Sequence, residues 1–143
     1  MAADGRTFVD TNVLVYAHDR SDPTKQTIAQ EILKQLWIDG TGTVSTQVLQ
    51  ETYVVTTSRH KLAMSPHEAR DLIATYSAWP TVVIVPTLIL TASCLAEEHG
   101  LSLWDALVVE SARVAGAATL LTEDMQHGRE FGGVTVTDPF ARI

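Results

Sequence analysis

The residues able to do chemistry in this sequence are four scattered acids: Asp10, Glu51, Asp105 and Asp124. Asp10 closes the apolar run Thr7-Phe8-Val9, and Asp124 follows Thr119-Leu120-Leu121 after only Thr122 and Glu123. Glu51 falls early in a helix expected directly after Thr43-Val44-Ser45, and Asp105 in the first turn of one opened by Ser102. At 3.6 residues per turn, Asp105 shares a face with Val108, Val109 and Ala112, and Glu51 shares one with Val48, Val54 and Val55. A carboxylate inside an apolar stripe must be paired, protonated or bound to a metal. Arg113 and Lys61 lie too far along to be local partners. Several acids brought together repel one another without a cation, and Mg²⁺ or Mn²⁺ favours oxygen ligands of this kind. Each acid also has a purely structural explanation: Asp10 as cap of a helix starting at Thr11, Asp105 in a capping box with Ser102, Asp124 in a turn, Glu51 solvated. Only their joint placement at one edge favours a metal centre.

That placement depends on the elements between them. Thr7–Val9, Thr43–Ser45, Val82–Val85, Thr119–Leu121 and Val134–Val136 read as short strands, and Val82–Val85 is β-branched throughout and the clearest of them. Helices are expected over residues 13–18, 24–38, 46–58, 66–79, 87–99 and 102–116. Ser65-Pro66-His67-Glu68 has a helix-start pattern and Asp39-Gly40 a stop. Apolar strands separated by helices argue for a parallel sheet covered on both faces, an α/β fold of about five strands in one domain spanning residues 1–143. In such sheets, ligands bind beyond the carboxyl ends of the strands, where the acids fall.

The chain has 143 residues, 45% of them hydrophobic, which is globular composition. Its formal net charge of −7 is the wrong sign for holding a polyanion by bulk electrostatics, so a cation and a local basic patch must do that work. Ser58-Arg59-His60-Lys61 is the tight basic cluster, and Arg129 follows Asp124 closely enough to line the same groove. A solvated helix end explains Arg59 and Lys61 as well. Trp104 beside Asp105 could stack on a base, although a core tryptophan is the commoner case. The single cysteine, Cys94, lies among apolar neighbours, which suggests a buried small side chain and a reducing, cytoplasmic setting. The opening Met-Ala-Ala-Asp-Gly-Arg lacks the apolar core of a secretory signal. Residues 72–96 are free of charge, but Pro80 and Pro86 break the stretch, so it reads as helix–strand–helix rather than as a membrane span.

Phe-Val-Asp-Thr-Asn-Val-Leu-Val-Tyr-Ala, from Phe8 to Ala17, resembles the opening motif of PIN-domain nucleases. Ser45 to Glu51, Leu103 to Val109 and Leu121 to Gln126 fit the same family in the same order. With motifs covering essentially the whole chain, it is most similar to the VapC type, the toxin half of a toxin–antitoxin pair. The resemblance implies a three-layer α/β/α fold and Mg²⁺- or Mn²⁺-dependent endoribonuclease activity, with a metal-activated water leaving 5′-phosphate ends. It puts the catalytic and metal-binding acids at Asp10, Glu51, Asp105 and Asp124. Thr11 and Asn12 match residues that steady the first aspartate; with Arg59, Lys61 and Arg129 they make up the expected substrate-binding set. Asp124 is preferred over Glu123 as the fourth acid. A VapB-like antitoxin, an RNA substrate and a homodimer are implied as partners. Haloacid-dehalogenase-like phosphotransfer would want an aspartate where Asn12 stands, and both it and a receiver domain want a late lysine, whereas none follows Lys61. An inactive metal-binding interaction domain is a further alternative.

Overall fold

Phe8 and Val9 are wholly buried, which fixes β1 (Arg6–Val9) in the interior of the sheet. The computed structural model describes residues 5–141, so part of the N-terminal stretch read above for a leader lies outside the described residues. After β1 come α1 (Thr11–Tyr16), α2 (Pro23–Asp39), β2 (Gly42–Ser45), α3 (Thr46–Thr57), α4 (Pro66–Tyr76) and β3 (Thr81–Val82). The chain continues through α5 (Pro86–His99), α6 (Leu103–Val114), β4 (Ala117–Leu121), β5 (Glu130–Phe131) and β6 (Val134–Thr137).

The strands form one sheet in the order β3-β2-β1-β4-β6-β5. All neighbours are parallel except β5, which pairs antiparallel with β6. From β1 the chain moves outward to β2 and β3, then returns to place β4 on the other side of β1. Strand order therefore reverses at β1/β4, the kind of switch point where an open parallel sheet leaves a crevice for ligands. Helix α6 packs across β2, β4 and β6, with Val108, Val109 and Ala112 buried as its phase predicts. Helix α2 packs on β2 and α1, and α3 packs on α1 and α4.

Local signals set most helix ends. Ser65 and Glu68 complete a capping box, and Gly40 closes α2 in the left-handed conformation at φ 68°. Gly42 has a different role. A Cβ there would sit 2.6 Å from the Trp79 ring, so the indole packs directly against the β2 backbone.

The sheet differs from expectation in two places. Strand β3 stops at Val82, because the Ile84 N–H donates to Thr46 Oγ1 at 3.2 Å and not to a strand neighbour. Val83 and Val85 are consequently exposed. Strand β5 was not anticipated; it folds back on β6 through Gly132 and Gly133, both at positive φ, a two-residue Gly-Gly turn suited to a tight hairpin. Cys94 and Trp104, expected in the core, are exposed: α5 buries Leu88 and Ala92 and turns Leu90 and Cys94 outward, while Trp104 is 63% exposed at the start of α6. Val54 lies 66% exposed, because the buried stripe of α3 is Val48, Thr52 and Thr56. The two threonines tolerate burial by donating their hydroxyls to the carbonyls of Val48 and Thr52, each at 2.7 Å.

Candidate active site

Adjacent strands β1 and β4 end together, with Val9 in register with Leu121 and the Asp10 N–H donating to the Leu121 carbonyl at 3.0 Å. Their next residues therefore emerge side by side. Asp10 caps α1, its Oδ1 accepting from the Thr11 N–H at 2.8 Å, and its Oδ2 accepts from the Thr122 hydroxyl at 2.9 Å. Capping and a role at the sheet edge coexist in one side chain.

Thr122 was missed in the sequence, where it reads only as part of the link between the Thr119–Leu121 strand and Asp124. It is fully buried, and its oxygen also accepts from Asn12 Nδ2 at 3.1 Å and from the Asp124 N–H at 3.1 Å. Asn12 reaches on to Asp124 Oδ2 at 3.2 Å and accepts the Glu123 N–H on its own oxygen. Thr11 donates its hydroxyl to Glu51 Oε1 at 3.1 Å. Asn12 and Thr11 thus hold three of the acids in one hydrogen-bonded frame. Glu123 is turned elsewhere, taking Lys25 Nζ and the Tyr16 hydroxyl, each at 2.8 Å. Of the two neighbouring acids, Asp124 faces Asp10's network.

Ser102 caps α6 through the backbone N–H of Asp105, so the cap leaves that carboxylate uncommitted. Asp105 lies near enough to raise the pKa of Asp124, behind the larger effect of lost hydration and together with Glu123 and Asp138; the Asn12 amide opposes the rise. Asp10 is 4% exposed, and burial lifts its pKa to about 7. The Thr11 and Thr122 hydrogen bonds pull it down, and the charges of Asp124 and Glu51 push it further up.

Among the described residues, no three His, Cys, Asp or Glu side chains come close enough to hold a metal ion together, and no basic side chain pairs with Asp10, Glu51, Asp105 or Asp124. A buried carboxyl served only by neutral donors, with further acids within electrostatic range, nonetheless suits a hard divalent cation. Its oxygen donors are of the right chemistry.

A cleft of ≈ 490 Å³ opens over this edge, lined among others by Asn12, Tyr16, His60, Lys61 and Asp124. Lys61 reaches it as expected. Arg59 is exposed in the turn after α3 and is not part of the lining. Arg129 does not line it either. Its Nη2 donates to the His99 carbonyl at 3.1 Å and its guanidinium lies 4.6 Å from the Phe131 ring, contacts that hold the β5 hairpin against α5.

Comparison with known proteins agrees with this architecture. A search of curated proteins finds no sequence match. The chain is similar in fold to a toxin–antitoxin complex from Klebsiella pneumoniae, with a TM-score of 0.67 at 19% identity over 94% of this chain and 98% of that one. It is also similar to VapC20 from Mycobacterium tuberculosis, a sarcin–ricin loop cleaving toxin, with a TM-score of 0.60 at 20% identity over 80% and 86% of the two chains. VapBC2 from Rickettsia felis, solved with a fragment of promoter DNA, gives 0.61 at 18% identity over 91% and 96%. The PIN domain profile matches residues 7–129, nearly the full length of the described structure. With the motifs, the sheet order and this profile in agreement, the chain belongs to the PIN-domain family.

Proposed function

We propose that this protein is an Mg²⁺- or Mn²⁺-dependent endoribonuclease acting as the toxin of a toxin–antitoxin pair. The observation that carries the reading is the buried Asp10, joined through Thr122 and Asn12 to Asp124 and through Thr11's position to Glu51, at the point where strand order reverses. Asp10 and Asp105 are the proposed direct metal ligands, and Glu51 and Asp124 complete the site or orient its waters. When bound, the cation activates water and offsets negative charge on the reacting phosphate.

The chain's own residues do the rest. Thr122 and the Thr11 N–H fix both oxygens of Asp10, so the carboxylate is held before substrate arrives. Asn12 sets the position of Asp124 by bonding it directly and by holding the Glu123 N–H. Lys61 in the cleft wall supplies positive charge to a backbone phosphate, in a protein whose net charge of −7 otherwise repels RNA. The expected partners are a VapB-like antitoxin and a second copy of the chain. Val83, Val85, Ile89, Leu90 and Trp104 are each exposed apolar side chains, of the kind that protein contacts bury.

Product ends test the reading. Incubating purified protein with RNA and Mg²⁺ is expected to give 5′-phosphate and 3′-hydroxyl ends, and excess EDTA is expected to stop cleavage. Cyclic phosphate ends, or full activity in EDTA, would remove it.

A further inference from the structure

A second cavity, ≈ 610 Å³, adjoins the acidic cleft. The two share a wall made of Asp19, Ser21, Lys61 and Leu62, so the groove that begins at Asp124 continues toward Arg20, Gln26 and Gln30, with the α1–α2 loop and α2 on one side and the segment joining α3 to α4 on the other. Its two acids are already engaged locally: Asp19 accepts from the Ser21 N–H and hydroxyl, and Glu68 belongs to the Ser65 capping box. Among the described residues, Arg20 and Lys61 form no ion pair.

The glutamines are the informative feature. Gln26 Nε2 and Gln30 Nε2 both donate to the Ala17 carbonyl, at 3.3 and 2.8 Å. A carbonyl oxygen can only accept, so both amides must turn their NH₂ groups to it. That leaves their Oε1 atoms as the free acceptors of two side chains that line the cavity, and no described donor meets them. Acceptors on successive turns of α2 suit the chemistry of guanine's Watson–Crick edge, whose N1–H and N2–H₂ stand side by side. Adenine and cytosine place an acceptor beside their amino group, and uracil flanks its N–H with carbonyls. Single-stranded RNA presents such edges to proteins.

We propose that this second cavity is a guanine-recognition subsite beside the cut, with Gln26 and Gln30 bonding the base edge and Arg20 and Lys61 holding a flanking phosphate. The inference rests on the ribonuclease reading above and adds its sequence preference.

Cleavage of a random-sequence RNA pool, followed by 5′-end sequencing, tests it. The wild-type protein is expected to favour guanine at one position next to the cut. In the Gln26→Ala/Gln30→Ala variant, cutting at those sites should fall about tenfold relative to other sites in the same pool. Arg20→Ala should raise KM about threefold for all sequences and leave the preference unchanged, as a phosphate contact does. A wild-type protein with no guanine preference, or a double variant that keeps it, overturns the inference. So does a double variant that loses all sites in parallel, which marks a structural role. If the double variant does not fold, an unchanged KM for Arg20→Ala overturns it. A cavity built for a protein partner would leave both preference and KM untouched. No RNA cleavage at all by the wild-type protein would instead remove the ribonuclease reading, and this inference with it.

Discussion

Asp10→Asn is expected to lower RNA cleavage roughly 10³-fold while making the metal-free protein more stable at pH 8. Loss of activity follows from removing the charge of the most buried member of the acidic set. The gain in stability follows from its pKa, raised by burial from 3.8 to about 7. A carboxyl that titrates higher in the folded state holds its proton there after the unfolded chain has released it. Stability from this group is therefore fully present below pH 4 and is lost as pH rises toward and through 7. The shift corresponds to a ceiling of roughly 4 kcal/mol. Asparagine escapes that cost but satisfies the Thr11 N–H and Thr122 hydroxyl less well, at about 1 kcal/mol each. A net gain of about 2 kcal/mol in EDTA at pH 8 remains, shrinking to nothing or reversing near pH 4. Urea unfolding of both proteins at the two pH values measures this difference. Equal pH profiles, or an active variant, would contradict the assignment.

Thr122→Val is expected to cost about 2 kcal/mol of stability and to reduce cleavage about 100-fold. Valine keeps the shape and the β-branched side chain but removes the hydroxyl. One oxygen there donates to Asp10 and accepts from Asn12 and from the Asp124 N–H. Without it, those groups lose a common partner in a fully buried position. The expected kinetic signature is a fall in kcat with little change in KM, since Thr122 positions the acids and lies outside the cleft lining. Thr122→Ser, which restores the hydroxyl, should recover most of the activity. A Val variant with normal kcat would show that the hydroxyl frame is not needed.

How much of this could be read from sequence depends on the range of the interaction concerned. Helix starts at Ser65 and Ser102 were legible because a cap bonds residues three apart. The convergence of Asp10 and Asp124 was legible because both follow apolar strands, and parallel topology sends strand ends to one edge. Whether Val83–Val85 joins the sheet was not legible, since it depends on a hydroxyl, Thr46, from a different element. Trp104 and Cys94 failed for a related reason: composition shows that a side chain is apolar, but not which face of its helix finds a neighbour. Arg129 was near in sequence to Asp124, yet the β5 hairpin swings it onto Phe131 and His99. The Gly132-Gly133 pair before Val134 was a usable signal for that hairpin. Thr122 could have been suspected as a hydroxyl just beyond a strand, between two apolar residues and two acids.

The central claim, that these carboxylates take up a divalent cation through Asp10, is tested by calorimetric titration of Mg²⁺ and Mn²⁺ at pH 7 in buffers of different ionisation enthalpy. Because burial pushes the Asp10 pKa up to about 7, the wild-type protein should bind the ion and release a proton fraction as it does so, and Asp10→Asn should show neither. Failure of the wild-type protein to take up either ion, even with RNA present, or equal uptake by the asparagine variant, would contradict the account.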